Sequence, residues 1–407
     1  MKIVPYPHQL KFAQKCWEIL STKGYVYLAG KPRSGKTFTS ILVAEKSKKI
    51  NSVLILTKKA AISGWHKFID NAPNLKHTYY VTNYEQVGTI EGNKFKLKLN
   101  PKDYQLVIID ESHNLGTLGK PSNRIKVIKK LCQDMPHIHL SGTAIVESPC
   151  GIYHQMAISK YTPFRHKNFY DFHREFGEPY YIKAAGREIN QYDKAKDTLM
   201  PAINEFTVYM TQEDAGIDKS VQAVDRVHYI DLEKSTKNLY NQIQEDLVVE
   251  IHGKTLVCDT TMKLRTSLHM LESGIAKIDD EYIEIGNTEK VDYIKNTFGD
   301  TKDVGIMCHF VGERILLERL FRNANIYSSS AHAEGVDLSH LQHFIILSSD
   351  YSGSKFIQRR DRIVNINGSN TTTVHHILVK KAISEQVYKR VSKKEDFNNS
   401  TYEREEL

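Results

Sequence analysis

The sequence has no long apolar run, and this narrows the setting of the chain. Its most hydrophobic stretches, "YVYLA", "VLIL", "LVII" and "HFIIL", have the length of single strands, whereas a membrane-crossing helix needs about 20 apolar residues in succession. The opening "MKIVPYPHQLKF" lacks the continuous apolar centre of a secretory leader, so the expected location is cytoplasmic, without a membrane partner. Five cysteines, Cys16, Cys132, Cys150, Cys258 and Cys308, include no CxxC pair. That spacing argues against a zinc site and a disulfide framework, and it fits a reducing compartment. Internal repeats, low-complexity linkers and nuclease motifs are missing as well.

What is present has ordinary globular proportions: 40% hydrophobic and 26% charged residues over 407 positions, a length that suits two domains. The formal net charge is +8 although the end, "EDFNNSTYEREEL", is acidic, so the body is more basic than the total. A basic body suits a polyanionic partner, and general solubility accounts for it equally well. "EKSKKI" and "VIKKL" read as solvated helix faces.

Short β-branched runs at Tyr25 to Ala29, Val53 to Thr57, Leu106 to Asp110 and Ile138 to Leu140 alternate with amphipathic stretches. This is the rhythm of a parallel α/β sheet. It fades after Pro149, and residues 153–224, rich in aromatics and charge, show no clear strand pattern. It returns with "VGIMCHF", "HFIILSSD" and "VHHILVKK". The expected organisation is an α/β lobe over 1–152, a mostly helical or irregular segment over 153–224, a second α/β lobe over 225–395 and an acidic tail over 396–407. The middle segment is the expected place for substrate selection. His375 and His376 lie on a strand-like run, so they should face opposite sides and share no metal.

"YVYLAGKPRSGKTFTSILVAEK" reads as strand, loop and helix, and Gly30 to Thr37 fits G-x-x-x-x-G-K-[ST] throughout. Gly30 and Gly35 free the backbone to turn N–H groups toward phosphate, with Arg33 and Ser34 inside the loop. The helix beginning near Lys36 adds its positive end. Lys36 can reach the β- and γ-phosphates, and the Thr37 hydroxyl can ligate Mg²⁺. A chance glycine-rich turn would not carry a strand before it and a helix after it. ATP with Mg²⁺ is the expected ligand. In "QLVIIDESHNLG" a buried strand would deliver Asp110 and Glu111 at its carboxyl end, where ligands gather in open α/β sheets. Asp110 would hold Mg²⁺ through water, and Glu111 would polarise the attacking water.

With those residues in place, "DESH" (Asp110 to His113) resembles the DExH box of superfamily 2 helicases and translocases, and "LSGTA" (Leu140 to Ala144) resembles their motif III. "PYPHQ" resembles the adenine-reading segment, with Gln9 the reader. "VLILTKKAAISGWHKFI", including Trp65, resembles motif Ia of the Snf2-like branch, and "VTNYEQV" resembles the element that follows. "VGIMCHF" resembles motif IV, "AEGVDLSHLQHFIILSSD" motif V, with Gly335 and Asp337 at the nucleotide, and "QRRDR" motif VI. The resemblance implies two RecA-like parallel-sheet lobes with ATP between them and nucleic acid across the top. His113, Ser141 and Thr143 would couple γ-phosphate status to closure. Thr57, Lys58, Thr82 and Tyr84 would meet the phosphate backbone from the first lobe, and His309, Phe310 and Ser330 from the second. Ordinary packing competes as a reading for Tyr84 and Phe310.

The family pattern in motif VI, Q-x-x-[GD]-R-x-x-R, starts at Gln358, places its first arginine at Arg362, and meets Asn365 where the second belongs. Arg359, one turn before Arg362, is the nearest substitute, with Lys355 next. The resemblance implies a DNA helicase or translocase, of the compact form found in phage and mobile elements and acting on forked or branched DNA. RNA is the less favoured substrate. Asn365 keeps open an ATP-binding clamp that hydrolyses poorly, and a motor subunit needing a nuclease partner is a third reading.

Overall fold

The structure, a computed structural model, describes residues 4–31, 34–142, 149–184, 187–216, 224–329, 338, 341–353, 356, 373–393, 397 and 402. The chain divides into two compact units, Met1–Asp218 and Lys219–Leu407.

In the first unit Pro7 opens helix α1 (Pro7–Lys23), and Gly24, left-handed at φ 72°, closes it by donating its N–H to Leu20 O at 2.8 Å. Proline at a helix start and glycine past its end are the residues those backbone positions favour. Phe12, Ala13, Cys16 and Leu20 form the buried stripe of α1. Strands β1 (Tyr25–Gly30), β2 (Ser52–Thr57), β3 (Thr78–Asn83), β6 (Leu106–Ile109), β7 (His137–Ser141) and β10 (Thr207–Met210) form a parallel sheet in the order β10-β1-β7-β6-β2-β3. The apolar runs of β2 and β6 alternate between two cores, one against α1, α2 (Lys36–Glu45) and α3 (Ile62–Asn71), the other against α4 (Asn123–Cys132). Burial on both faces is what continuous rather than alternating hydrophobic strands indicate. A hairpin of β4 (Gly88–Glu91) and β5 (Lys94–Leu97) lies beside α4.

The segment expected to stand apart belongs to the first unit. Its strand β10 pairs with β1 from Tyr27↔Thr207 to Gly30↔Met210, and Lys31 N donates to Met210 O at 2.9 Å, so it braces the phosphate loop. Between them α5 (Ile152–Met156), α6 (Phe169–Phe176), the hairpin of β8 (Tyr180–Ala184) and β9 (Arg187–Gln191), and α7 (Leu199–Asn204) complete the unit. The aromatics that obscured the strand pattern are its core: Tyr153, Phe164, Phe169 and Phe172 pack with Tyr25 and Tyr27 of β1.

In the second unit β11 (Val224–Ile230), β16 (Val304–Cys308), β17 (Asn325–Ser328), β18 (His343–Ile346) and β19 (Thr373–Val379) form a parallel sheet in the order β11-β19-β18-β16-β17. Helices α8 (Lys234–Asp246), α9 (Thr261–Leu271) and α12 (Ile383–Val391) lie on the core of one face, and α10 (Glu289–Phe298) and α11 (Val311–Leu320) on that of the other. Two hairpins, β12 (Val248–Ile251) with β13 (Lys254–Val257) and β14 (Ile275–Ile278) with β15 (Glu281–Glu284), fill the connections. Each unit therefore has the helix-flanked parallel sheet of a RecA-like lobe. The expected acidic tail is not wholly apart: Phe397 is buried in the core and donates its N–H to Tyr351 O at 2.8 Å, and Tyr402 donates to Gln244 at 2.9 Å. Aromatic side chains carry that docking, since burying such a ring removes a large apolar area from water.

His375 and His376 face opposite sides. His375 bonds His228 at 2.8 Å and His343 at 3.1 Å, while His376 bonds Asp225 at 3.0 Å and packs on Phe356 and Tyr388. Among the described residues no three or more histidine, cysteine, aspartate or glutamate side chains gather as a metal-holding group, no helix is long and apolar enough to cross a membrane, and all five cysteines are free and buried.

Candidate nucleotide site

The carboxyl ends of β1, β2, β6 and β7 converge on one edge of the first sheet, and each delivers side chains of the expected site. After β1 the chain enters the phosphate loop. A methyl group on Gly30 would approach Ser34 Oγ to 2.9 Å and Lys36 Cβ to 3.1 Å. Gly35 sits at φ 85°, where a side chain is strained, and a Cβ there would meet Gln9 Nε2 at 2.3 Å. Ser34 Oγ closes the loop by donating to Lys31 O at 2.7 Å. Gln9 and His8 reach the loop from α1. Gln9 Nε2 donates to Gly35 O at 3.3 Å, its Oε1 accepts from Tyr6 N at 2.9 Å, and His8 Nε2 lies 3.0 Å from Ser34 O. The expected adenine reader is thus attached to the phosphate loop itself. Lys36 and Thr37 begin α2, both half-buried.

Asp110 follows β6 and is buried. Its Oδ2 accepts from Thr57 Oγ1 and from Trp65 Nε1, each at 2.9 Å. Burial and the adjacent Glu111 raise the Asp110 pKa, and Trp65, Lys36 and Thr57 oppose them. Asp110, with Glu111 beside it and Lys36 acting on its charge, and the Thr37 hydroxyl offer hard oxygens of the kind that suit Mg²⁺.

Glu111 has a left-handed backbone, φ 50° and ψ 47°. For a residue other than glycine this costs about 1–3 kcal/mol and clusters at functional sites. Asn114 holds the turn, its N–H and its side-chain Nδ2 both donating to Glu111 O, at 3.0 and 2.8 Å. Glu111 Oε2 lies 3.4 Å from His113 Nδ1, which is 3.0 Å from Ser141 Oγ at the end of β7. Sequence reasoning missed what lies behind this pair. Tyr27, buried in β1, donates to Gln155 Oε1 at 2.8 Å and accepts from Ser112 Oγ at 2.8 Å, and Ser141 bonds the same hydroxyl. The two tyrosines of an otherwise apolar strand were the available signal, since buried hydroxyls usually find partners, as that of Tyr27 does.

Two expected nucleic-acid contacts are corrected. Thr57 is fully buried on Asp110, and Tyr84 is buried with its hydroxyl donating to Asp110 O. Enclosed side chains that already hold the acidic turn cannot lie against a strand of nucleic acid. Lys58 and Thr82 are half-buried beside them.

In the second unit His309 and Phe310, both half-buried, follow β16. Their N–H groups donate to Glu313 Oε2 at 3.1 and 3.0 Å, and His309 Nδ1 lies 2.9 Å from Ser329 Oγ. Glu313 was not foreseen. It is fully buried and also accepts from Ser273 Oγ at 2.6 Å and from Ser348 Oγ, so one carboxylate ties three loops together. Arg33, Thr143, Ser330, Gly335, Asp337, Lys355, Gln358, Arg359, Arg362 and Asn365 lie outside the described residues.

No protein-family model matches the chain, and no curated protein sequence matches it. Among solved structures it is similar to a Sulfolobus solfataricus SWI2/SNF2 ATPase core in complex with dsDNA, at 16% identity and a TM-score of 0.44 over 97% of this chain and 92% of that one. It is also similar to the Sulfolobus solfataricus SWI2/SNF2 ATPase core domain, at 15% identity and a TM-score of 0.42 over 96% and 88%.

Proposed function

We propose that this protein is an ATP-dependent nucleic-acid motor, a DNA translocase or helicase that converts ATP hydrolysis into movement on or remodelling of DNA. The observation that carries the reading is the shared edge of the first sheet. A complete phosphate loop after β1 faces an Asp–Glu pair after β6, with Lys36 close enough to act on the Asp110 charge. In this reading the loop amides and Lys36 bind the phosphates, and Thr37 and Asp110 hold Mg²⁺, which would neutralise phosphate charge. Glu111 takes the proton of the attacking water, held at its angle by Asn114 and by His113 on Ser141. Gln9 and His8 carry nucleotide contact back to α1. Arg362, with Arg359 and Gln358, supplies the cation for the transition state, a contribution of about 10³- to 10⁵-fold where such a finger acts. Lys58, Thr82, His309, Phe310 and Ser330 bind backbone phosphates and give little sequence preference.

Asn365 favours a second reading, a clamp that binds ATP and DNA but turns over slowly. ATP turnover with and without single-stranded, duplex and forked DNA separates the two. DNA-stimulated turnover that Arg362→Ala abolishes supports the motor. Tight ATP binding without turnover supports the clamp.

A further inference from the structure

Outside the nucleotide site the first unit carries a row of cations on the β4–β5 hairpin. Lys94 and Lys96 stand opposite Glu91 and Thr89 in the ladder, and Lys98 extends it by donating its N–H to Val87 O at 2.9 Å. Alternation along a strand then puts Lys94, Lys96 and Lys98 on one face. The structure bears this out: all three are exposed, whereas Leu97, Leu99 and Ile90 are half-buried against the core of α4. The only acid opposite them, Glu91, meets Lys96 at 3.2 Å with both side chains about two-thirds exposed (69% and 65%), a solvated ion pair that contributes little and is readily exchanged. Glu85 is already paired with Arg124 at 2.9 Å. From Ser112 to Gln133, the stretch containing α4, the sequence has no aspartate or glutamate. Arg124 also lies 5.9 Å from the ring of Tyr84, which bonds the Asp110 backbone, so this surface adjoins the nucleotide site.

We propose that the lysine face of this hairpin is a docking surface for the phosphodiester backbone of duplex nucleic acid, outside the contacts assigned by motif. Residues two apart on a strand are separated by roughly 6.6–6.8 Å. Phosphates of one duplex strand advance about 3.4 Å per base step along the helix axis, and because the backbone winds around that axis, neighbouring phosphates stand about twice as far apart through space. Successive lysines therefore match neighbouring phosphates of one strand. Side chains of this kind read charge and not bases, so the surface holds any duplex equally. This inference rests on the reading of the protein as a DNA motor and adds a binding surface to it.

The test uses the whole chain and a variant with Lys94→Gln, Lys96→Gln and Lys98→Gln, all exposed and remote from the core. Affinity for two unrelated labelled duplexes of about 30 base pairs is measured from about 50 to 200 mM KCl. Each lost phosphate contact makes the log–log salt dependence shallower by about 0.9, up to about 2.7 for three. The loss of affinity across that salt range then shrinks by up to roughly 40-fold, equally for both sequences. An unchanged slope in a variant of unchanged thermal midpoint overturns the docking surface and leaves the motor reading standing. A wild-type chain that binds neither duplex overturns both. Binding to phosphatidylserine vesicles that the variant loses, with its duplex slope intact, assigns the lysines to a membrane surface and overturns the proposal.

Discussion

At the residue scale, three side chains decide whether the acidic turn works. Glu111→Gln keeps the size and the turn but removes the base; ATP turnover should fall by about 10²- to 10⁴-fold while nucleotide still binds, read by single-turnover hydrolysis beside equilibrium binding. Trp65→Phe keeps an aromatic ring but removes the indole N–H, leaving Asp110 Oδ2 with only Thr57. Losing a buried hydrogen bond to a charged group costs about 1.5–3 kcal/mol, and urea denaturation should show it. Tyr27→Phe removes a hydroxyl shared by Ser112, Ser141 and Gln155. Its expected effect is a lower kcat with KM nearly unchanged, because the tyrosine orients the Glu111 turn without touching substrate. Lys36, Thr37, Asp110 and Glu111 were legible in the sequence because their chemistry fixes their spacing along the chain. Tyr27, Gln155 and Glu313 were not, because their partners are 85, 128 and 40 residues away in the bonds Ser112–Tyr27, Tyr27–Gln155 and Ser273–Glu313.

At the scale of elements, strands and loops carry different amounts of information. The apolar runs of β1, β2, β6, β7, β16, β18 and β19 announce themselves, since a strand buried on both faces must be apolar throughout. Strand β10 did not, because "TVYM" is short and one of its residues, Tyr209, is exposed at the sheet edge. The phosphate loop depends on Gly35 through both its φ of 85° and the nearness of Gln9. Gly35→Ala should therefore weaken ATP binding as Gln9 is displaced, measured by nucleotide titration against Gln9→Ala in the wild-type loop. Buried histidines make the sheets sensitive to acid. Burial lowers the pKa of His137 in β7 to about 4 and that of His375 in β19 to about 3, against about 6.5 in an unfolded chain. The unfolded state then binds more protons between those values, so stability is full above about pH 6.5 and is lost as pH falls. The urea midpoint should drop between about pH 7 and pH 5, before carboxylates titrate; a flat profile there would contradict the buried neutral state.

At the scale of the whole molecule, two parallel-sheet units follow from the sequence rhythm, and the boundary near residue 218 follows from the aromatic core of the first unit. That core gathers residues 149–206 around Tyr25 and Tyr27, so a segment read as a bridge became part of one lobe. One connection of that core to the acidic turn runs through the Tyr27 hydroxyl, between Gln155 and Ser112. The central claim is that the turn after β6 hydrolyses ATP bound by the loop after β1. The most direct measurement is steady-state ATP hydrolysis by the whole chain, with and without duplex DNA, compared with Lys36→Ala and Glu111→Gln. The account predicts turnover that DNA raises, that Lys36→Ala loses together with nucleotide binding, and that Glu111→Gln loses while ATP stays bound. Turnover that survives Glu111→Gln, or a wild-type chain that does not bind ATP with Mg²⁺, would contradict it.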